Sequence, residues 1–150
     1  MKDVEHAYEL SQDECRELLN SDVVGRLGFT TPHGPRVAPL NYVVRGDTVE
    51  FLTTSFSEIS VYAVGAEVVF EIDHLDSRSK AGWSVLAHGV LHRHENPAEQ
   101  VLRDHGDGPT PWAGGHRPLL LVLPWRELTG RRVGEHWPHP AVSGRGDLHR

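Results

Sequence analysis

AEVVFEIDHLDSRSKAGWSVLAHGVLHRHE, residues 66–95, is the stretch on which the fold turns. Its first eight residues alternate around β-branched side chains, the period of a strand with one buried face. HLDSRSKA is polar and without period, and predicts a loop. GWSVLAHGVLHRHE then predicts a second, longer strand, with Gly89 in its middle marking a bulge. Alternation places Trp83 and Val85 on one face of that strand and Ser84 and Leu86 on the other.

Further strands lie upstream. VVGRLGFTT predicts one, PHGP turns the chain, RVAPLNYVVR predicts the next, and TVEFLTT follows the tight turn at Gly46–Asp47. These form a meander. Ahead of them, Ser11 and Glu14 have capping-box spacing and open a short helix over about residues 11–20, with Leu18 and Leu19 packing on Cys15. SEISVYAVG predicts a second short helix with Ser57 as its cap. Asn96 and Pro97 open a third over NPAEQVLRDHG. The last strand is RPLLLVLPWRELTGRRV. Its LLLVL run is apolar throughout, which suits a central position, and Pro124 suits a break or bulge. Six strands with three small helices suggest a closed or split antiparallel barrel, mostly β, spanning residues 1–133. Residues 134–150 have no period and predict a mobile or partner-wrapping tail.

Composition narrows the function. The chain has 150 residues, 38% hydrophobic and 24% charged, with 15 Gly, 10 Pro and a formal net charge of −6. That describes one soluble, turn-rich domain. Nucleic acid is excluded as an expected partner, because phosphate neutralisation needs clustered Lys and Arg. A single cysteine suits a reducing compartment, and no apolar run reaches membrane-spanning length, so the expected location is the cytoplasm, away from the membrane.

VGRLGF, RVAPLNYVV, VVFEIDHLD, GWSVLAHGVL and LTGRRV together resemble the pyridoxamine 5'-phosphate oxidase-like proteins, in particular their small actinobacterial members. Phe-Glu-x-Asp followed by Gly-Trp-Ser-Val-Leu is the most specific part. The resemblance covers about residues 8–133. It implies the FMN-binding split β-barrel fold, a homodimer, and a flavin or deazaflavin at the subunit interface. It names no substrate and no catalytic residue.

The resemblance also implies a site. PLNY matches the segment whose backbone lies along the flavin, giving Pro39, Leu40 and Asn41. GWSV matches a segment near the cofactor, giving Trp83 and Ser84, although Trp83 equally suits the core. The turn TTSFSE would meet the phosphate through Thr53, Thr54, Ser55 and Ser57. Here the chain departs from the family pattern. Leu52 stands where an Arg is usual, Glu58 stands at or beside a usual Lys, and Phe56 replaces a small residue. The turn therefore reads either as a strand end with an N-cap or as a phosphate cradle that borrows cations. Arg78, Lys80, Arg131 and Arg132 are the candidates to lend them, and Glu58→Lys is the change expected to strengthen FMN binding.

Other chemistry is thinly supported. His88, His92 and His94 share a strand face only if no bulge intervenes, and no Cys accompanies them, so no metal is expected. His136 and His139 flank Trp137 without further ligands. No nucleophile elbow occurs, and Cys15 among leucines reads as a packed thiol. Three readings follow: an FMN-dependent oxidoreductase, a cofactor-free dimeric binding or regulatory module, and a deazaflavin-dependent reductase. The scarcity of cations near the turn counts against the last.

Overall fold

The computed structural model describes residues 7–95 and 108–134. The helix expected over Asn96–Gly106 and the tail beyond Gly134 lie outside them. The chain builds β1 (Ala7–Glu9), α1 (Gln12–Leu19), β2 (Val24–Thr31), β3 (Gly34–Asn41), β4 (Val43–Arg45), β5 (Thr48–Thr53), a short π-helix (Ile59–Ala63), β6 (Glu67–Asp76), β7 (Ala81–Val90), β8 (His92–Arg93) and β9 (Leu119–Val133). The strands are antiparallel, in the order β3-β2-β6-β7-β9-β5-β4, with β1 and β8 also on β9. β9 is thus the hub, as its apolar run predicts. The fold is a split antiparallel barrel.

The strand count is nine among the described residues, not six. One difference is informative. RVAPLNYVVR is not one strand: β3 stops at Asn41 and β4 starts at Val43. Tyr42 between them is buried and turns inward. Its hydroxyl donates to the Leu19 carbonyl at 2.6 Å, its N–H donates to Val23 O, and its ring meets Phe70 edge-on at 4.7 Å. The chain thereby leaves one end of the strand order and joins the other end. The fifth predicted strand divides likewise at buried Leu91, and β1 is a short addition on β9. The loop HLDSRSKA contracts to a turn at Ser77–Lys80, since β6 continues to Asp76.

The predicted bulge is present. His88 pairs with Glu127 and Gly89 with Trp125, so Arg126 is the extra residue. A Cβ at Gly89 would lie 2.4 Å from the Pro124 carbonyl oxygen, which only glycine avoids. At this point β9 changes partners, from β5 over Leu119–Pro124 to β7 over Trp125–Val133. Pro124 falls at the end of the β5 ladder, where its missing N–H costs little.

The core lies inside the curl, around Leu27, Phe51, Phe70, Ile72, Val85 and Leu121, all fully buried. α1 closes one side with Cys15, Leu18 and Leu19. Its capping box forms as spaced: Glu14 N–H donates to Ser11 Oγ at 3.2 Å and Ser11 N–H to Glu14 Oε1 at 3.1 Å. The helix sits tight against β9 because Gly130 has no side chain; a Cβ there would be 2.7 Å from Cys15 Sγ.

Candidate functional site: the seam between β3 and β5

The strand order ends at β3, so one edge of β3 is unpaired within the described sheet. That edge forms the split. Along β3, half-buried Arg36, Ala38 and Leu40 alternate with exposed Pro35, Val37 and Pro39. Ala38 and Leu40 pack against the core, so Arg36 shares the barrel side. Its Nε lies 3.4 Å from Glu58 Oε2, an ion pair that crosses the split to the turn after β5. Arg36 was missed in the sequence, although its alternation with Ala38 and Leu40 could have revealed it.

At the other end of β3, Asn41 Nδ2 donates to Val23 O at 3.3 Å, and Asn41 Oδ1 accepts from Trp112 N–H at 2.8 Å. The Trp112 indole is 74% exposed beside this end of the seam. Pro39, Leu40 and Asn41 therefore come together at one end of a groove edge. Asn41 lies five residue steps beyond Arg36, roughly 17 Å of strand.

The turn Thr53–Ser57 is a cap first. Thr53 Oγ1 donates to Ser57 Oγ at 2.9 Å, and Ser57 Oγ accepts from Ser60 N–H at 3.1 Å. Ser60 Oγ donates to Ser57 O at 2.9 Å. Thr53 is buried, Thr54 half-buried, and Ser55 and Phe56 project into solvent, Phe56 by 93%. The helix that follows is a five-residue π-helix, Ile59–Ala63, whose N-cap position is Glu58, without a side-chain cap bond, and not Ser57 as predicted.

One buried side-chain donor among the described residues lacks an acceptor. Thr53↔Leu119 is the last rung of the β5–β9 ladder, and Arg117 lies two residues before it in the chain. The Nε of Arg117 is buried and has no hydrogen-bond partner among the described residues. Buried donors are nearly always satisfied, so an orphan marks a place for an unseen acceptor. At this end of the seam the groups whose chemistry suits an anion are Arg36, paired to Glu58, and the hydroxyls of Thr54 and Ser55. No periodicity announces Arg117, which lies in an irregular stretch.

The other candidates lie elsewhere. Trp83 is buried in the core, 3% exposed, with exposed His74 stacked near it at 6.4 Å. Ser84 faces outward into a groove of about 640 Å³, together with Leu86, Gln12, Thr129 and Arg131. Arg131 pairs with Ser84 across β7 and β9, twelve residues along β9 from Leu119. Arg132 lies over the Tyr8 ring at 5.0 Å, and Arg78 and Lys80 occupy the exposed β6–β7 turn. Within one chain none of these four cations reaches the turn through the sheet register.

On the outer sheet face, Arg26 bridges Glu71 at 2.7 Å and Asp73 at 2.8 Å. Burial pushes the Glu71 carboxyl up, and the neighbouring Asp73 adds to it while Arg26 opposes. Cys15 is likewise pushed up by burial, which suits a packed, unreactive thiol. The break between β7 and β8 at Leu91 lies between His88 and His92. No group of three or more His, Cys, Asp or Glu among the described residues is placed to hold a metal ion. No helix among them is long and apolar enough to cross a membrane.

With this geometry in hand, comparison with known proteins is direct. Residues 11–132 match the family described as pyridoxamine 5'-phosphate oxidase. The chain belongs to this family. The uncharacterized protein Rv0080 of Mycobacterium tuberculosis is 36% identical over 130 residues, which are 83% of this chain and 84% of that protein. The FAD binding protein from Mycobacterium smegmatis superposes with a TM-score of 0.65 at 28% identity, covering 85% of this chain and 98% of its own. A FAD-binding protein from Mesorhizobium loti has a TM-score of 0.67 at 19% identity, covering 88% and 100%, which speaks to fold alone. Pyridoxamine 5'-phosphate oxidase relatives thus share the split barrel from α1 to the end of β9.

Proposed function

We propose that this family member is a homodimeric, cytoplasmic flavoprotein that holds FMN along the β3–β5 seam and acts as an oxidoreductase on a small molecule. The observation that carries the reading is the seam itself. The unpaired edge of β3 offers backbone groups at Pro39–Asn41 at one end and Arg36, ion-paired to Glu58 of the turn after β5, at the other, roughly 17 Å away. That separation suits a fused tricycle with a ribityl phosphate tail. Similarity to a mycobacterial FAD binding protein supports a flavin.

Pro39, Leu40 and Asn41 would flank the ring with backbone groups, and Thr53, Thr54, Ser55 and Ser57 would lie at the phosphate end. When bound, the flavin supplies hydride and electron transfer. The chain supplies an apolar wall, the edge hydrogen bonds and exclusion of water. Trp83 would act only from beneath, as the rigid floor behind Ser84. Ser84 is about three strands from Asn41, near 14 Å, so in this reading Ser84 would meet the ligand from a second subunit. This supports a dimer made through the outer face of β3, β2, β6 and β7, where Val37 is 72% exposed.

Adding FMN should raise the melting temperature of the purified protein by several degrees, because a ligand bound only by the folded state stabilises it. Val37→Asp should halve the solution mass and reduce that stabilisation. A colourless protein whose melting point ignores FMN contradicts flavin binding and favours the cofactor-free module on the same fold. A native mass of one chain contradicts the dimer.

A further inference from the structure

Resting on the reading that two copies join through the outer face of β3, β2, β6 and β7, we infer that Arg26, Glu71 and Asp73 form a proton-operated clasp on that face. The clasp tightens the association of the two copies in mild acid.

The geometry leaves one negative charge over. Arg26 of β2 stands opposite Glu71 of β6, and Asp73 follows two residues on, on the same face. Glu71 Oε1 is 2.7 Å and Asp73 Oδ2 is 2.8 Å from the same nitrogen, Arg26 Nη2. A guanidinium fork commonly grips one carboxylate with two nitrogens. Here one nitrogen serves two carboxylates, so two negative charges share one positive charge. The two acids lie close enough to hydrogen-bond each other, which a single shared proton allows.

The adjoining strands do not cancel the surplus. Beside Arg26, β2 presents Val24, Gly28 and Thr30, and β3 presents Pro35, Val37 and Pro39. β7 sets Leu86 opposite Glu71 and Ser84 opposite Asp73, with His88 one step away opposite Val69. Glu67 lies beyond Val69 and is held by Arg126. Past β7, Glu127 pairs with His88 and Arg131 with Ser84, and Glu9 of β1 stands opposite Arg131. Carboxylates therefore outnumber arginines on this face among the described residues.

A two-fold dimer sets such a face against its own copy. Docking expels water, and loss of water disfavours the charged form of a carboxyl. Burial already holds Glu71 above the ordinary glutamate range, with Asp73 adding and Arg26 opposing. Further covering draws a proton onto the pair. The trio is then neutral, one carboxylate on Arg26 and one carboxylic acid beside it. Association that takes up protons strengthens as pH falls, by roughly tenfold per pH unit for each proton. The gain is present in acid and is lost as pH rises past the raised Glu71 value.

The test is sedimentation of the full chain over a range of concentrations, without added flavin. The dimer dissociation constant should fall at least tenfold from about pH 7.5 to about pH 5.5. Glu71→Gln mimics the protonated acid. It should make the dimer at neutral pH as tight as the native one in acid, and flatten the response to within about threefold. Asp73→Asn should act in the same direction, and it replaces Glu71→Gln if circular dichroism shows that variant unfolded. His88→Asn should leave the response intact. If the native dimer does not dissociate at measurable concentrations, the series is made on Val37→Ala, which trims the face without adding charge. A response that survives Glu71→Gln and Asp73→Asn, or disappears with His88→Asn, overturns the clasp. A dimer indifferent to pH also overturns it and leaves the dimer reading standing. A mass of one chain at both pH values overturns both.

Discussion

Tyr42 illustrates how one side chain sets the topology. It occupies the single position between β3 and β4, and burial pushes its phenol well above the ordinary tyrosine range. It remains a neutral donor at all ordinary pH values, fixed to the Leu19 carbonyl at the C-terminal end of α1. Tyr42→Phe keeps the ring against Phe70 and leaves that buried carbonyl without its donor. The expected loss is about 1–2 kcal/mol, read as a lower urea midpoint with an unchanged slope. An unchanged midpoint would show that the hydroxyl does not secure the crossover. Nothing in NYVV marks this position in sequence, since a Tyr among valines reads as uninterrupted strand. The catalogue of site residues was legible only in part for the same reason. Pro39, Leu40 and Asn41 are candidates that the family resemblance implies, whereas no motif or alternation marks Arg117. Trp83 and Ser84 are neighbours whose faces alternation separates correctly, and the buried face belongs to Trp83.

At the level of elements, local signals fared well where the chemistry is local. Ser11 and Glu14 make their capping box, Gly89 sits at the bulge, and Pro124 lies one step from it. Long-range contacts were not legible. Gly130 reads as an ordinary strand residue, yet it is where α1 closes on β9. A methyl group there would meet Cys15 Sγ at 2.7 Å, Leu10 Cδ1 at 2.9 Å and the Ser84 carbonyl at 3.1 Å. Gly130→Ala should cost about 1–3 kcal/mol through overpacking. Cys15→Ala should cost less in that background than in the native chain, because part of the clash is removed with the sulfur. Strict additivity of the two in denaturant titrations would mean that helix and strand do not press on each other at this point. The same close packing places Leu10 and Gln12 on the rim of the groove that holds Ser84, so it links helix docking to the outer face.

Across the whole molecule, the strand order explains why the chain has a seam. β3 and β4 are adjacent in sequence and opposite in the sheet, so the curl closes through a single residue and stays open along the edge of β3. The fold class was legible because strand periodicity and the Phe-Glu-x-Asp…Gly-Trp-Ser-Val-Leu pattern are features of the chain itself. The seam was not, because it arises from which strands remain unpaired. Leu52 and Glu58 stand where the family pattern has cations, and the barrel brings Arg36 of β3 to Glu58 at that turn.

The most direct test of the seam as a flavin site is backbone hydrogen exchange of the full chain with and without saturating FMN, resolved by peptide. Exchange at residues 36–41 and 53–60 should slow together, while the β6–β7 turn at 77–80 stays unchanged. Binding that protects neither segment, or protection confined to residues outside the seam, would contradict the account.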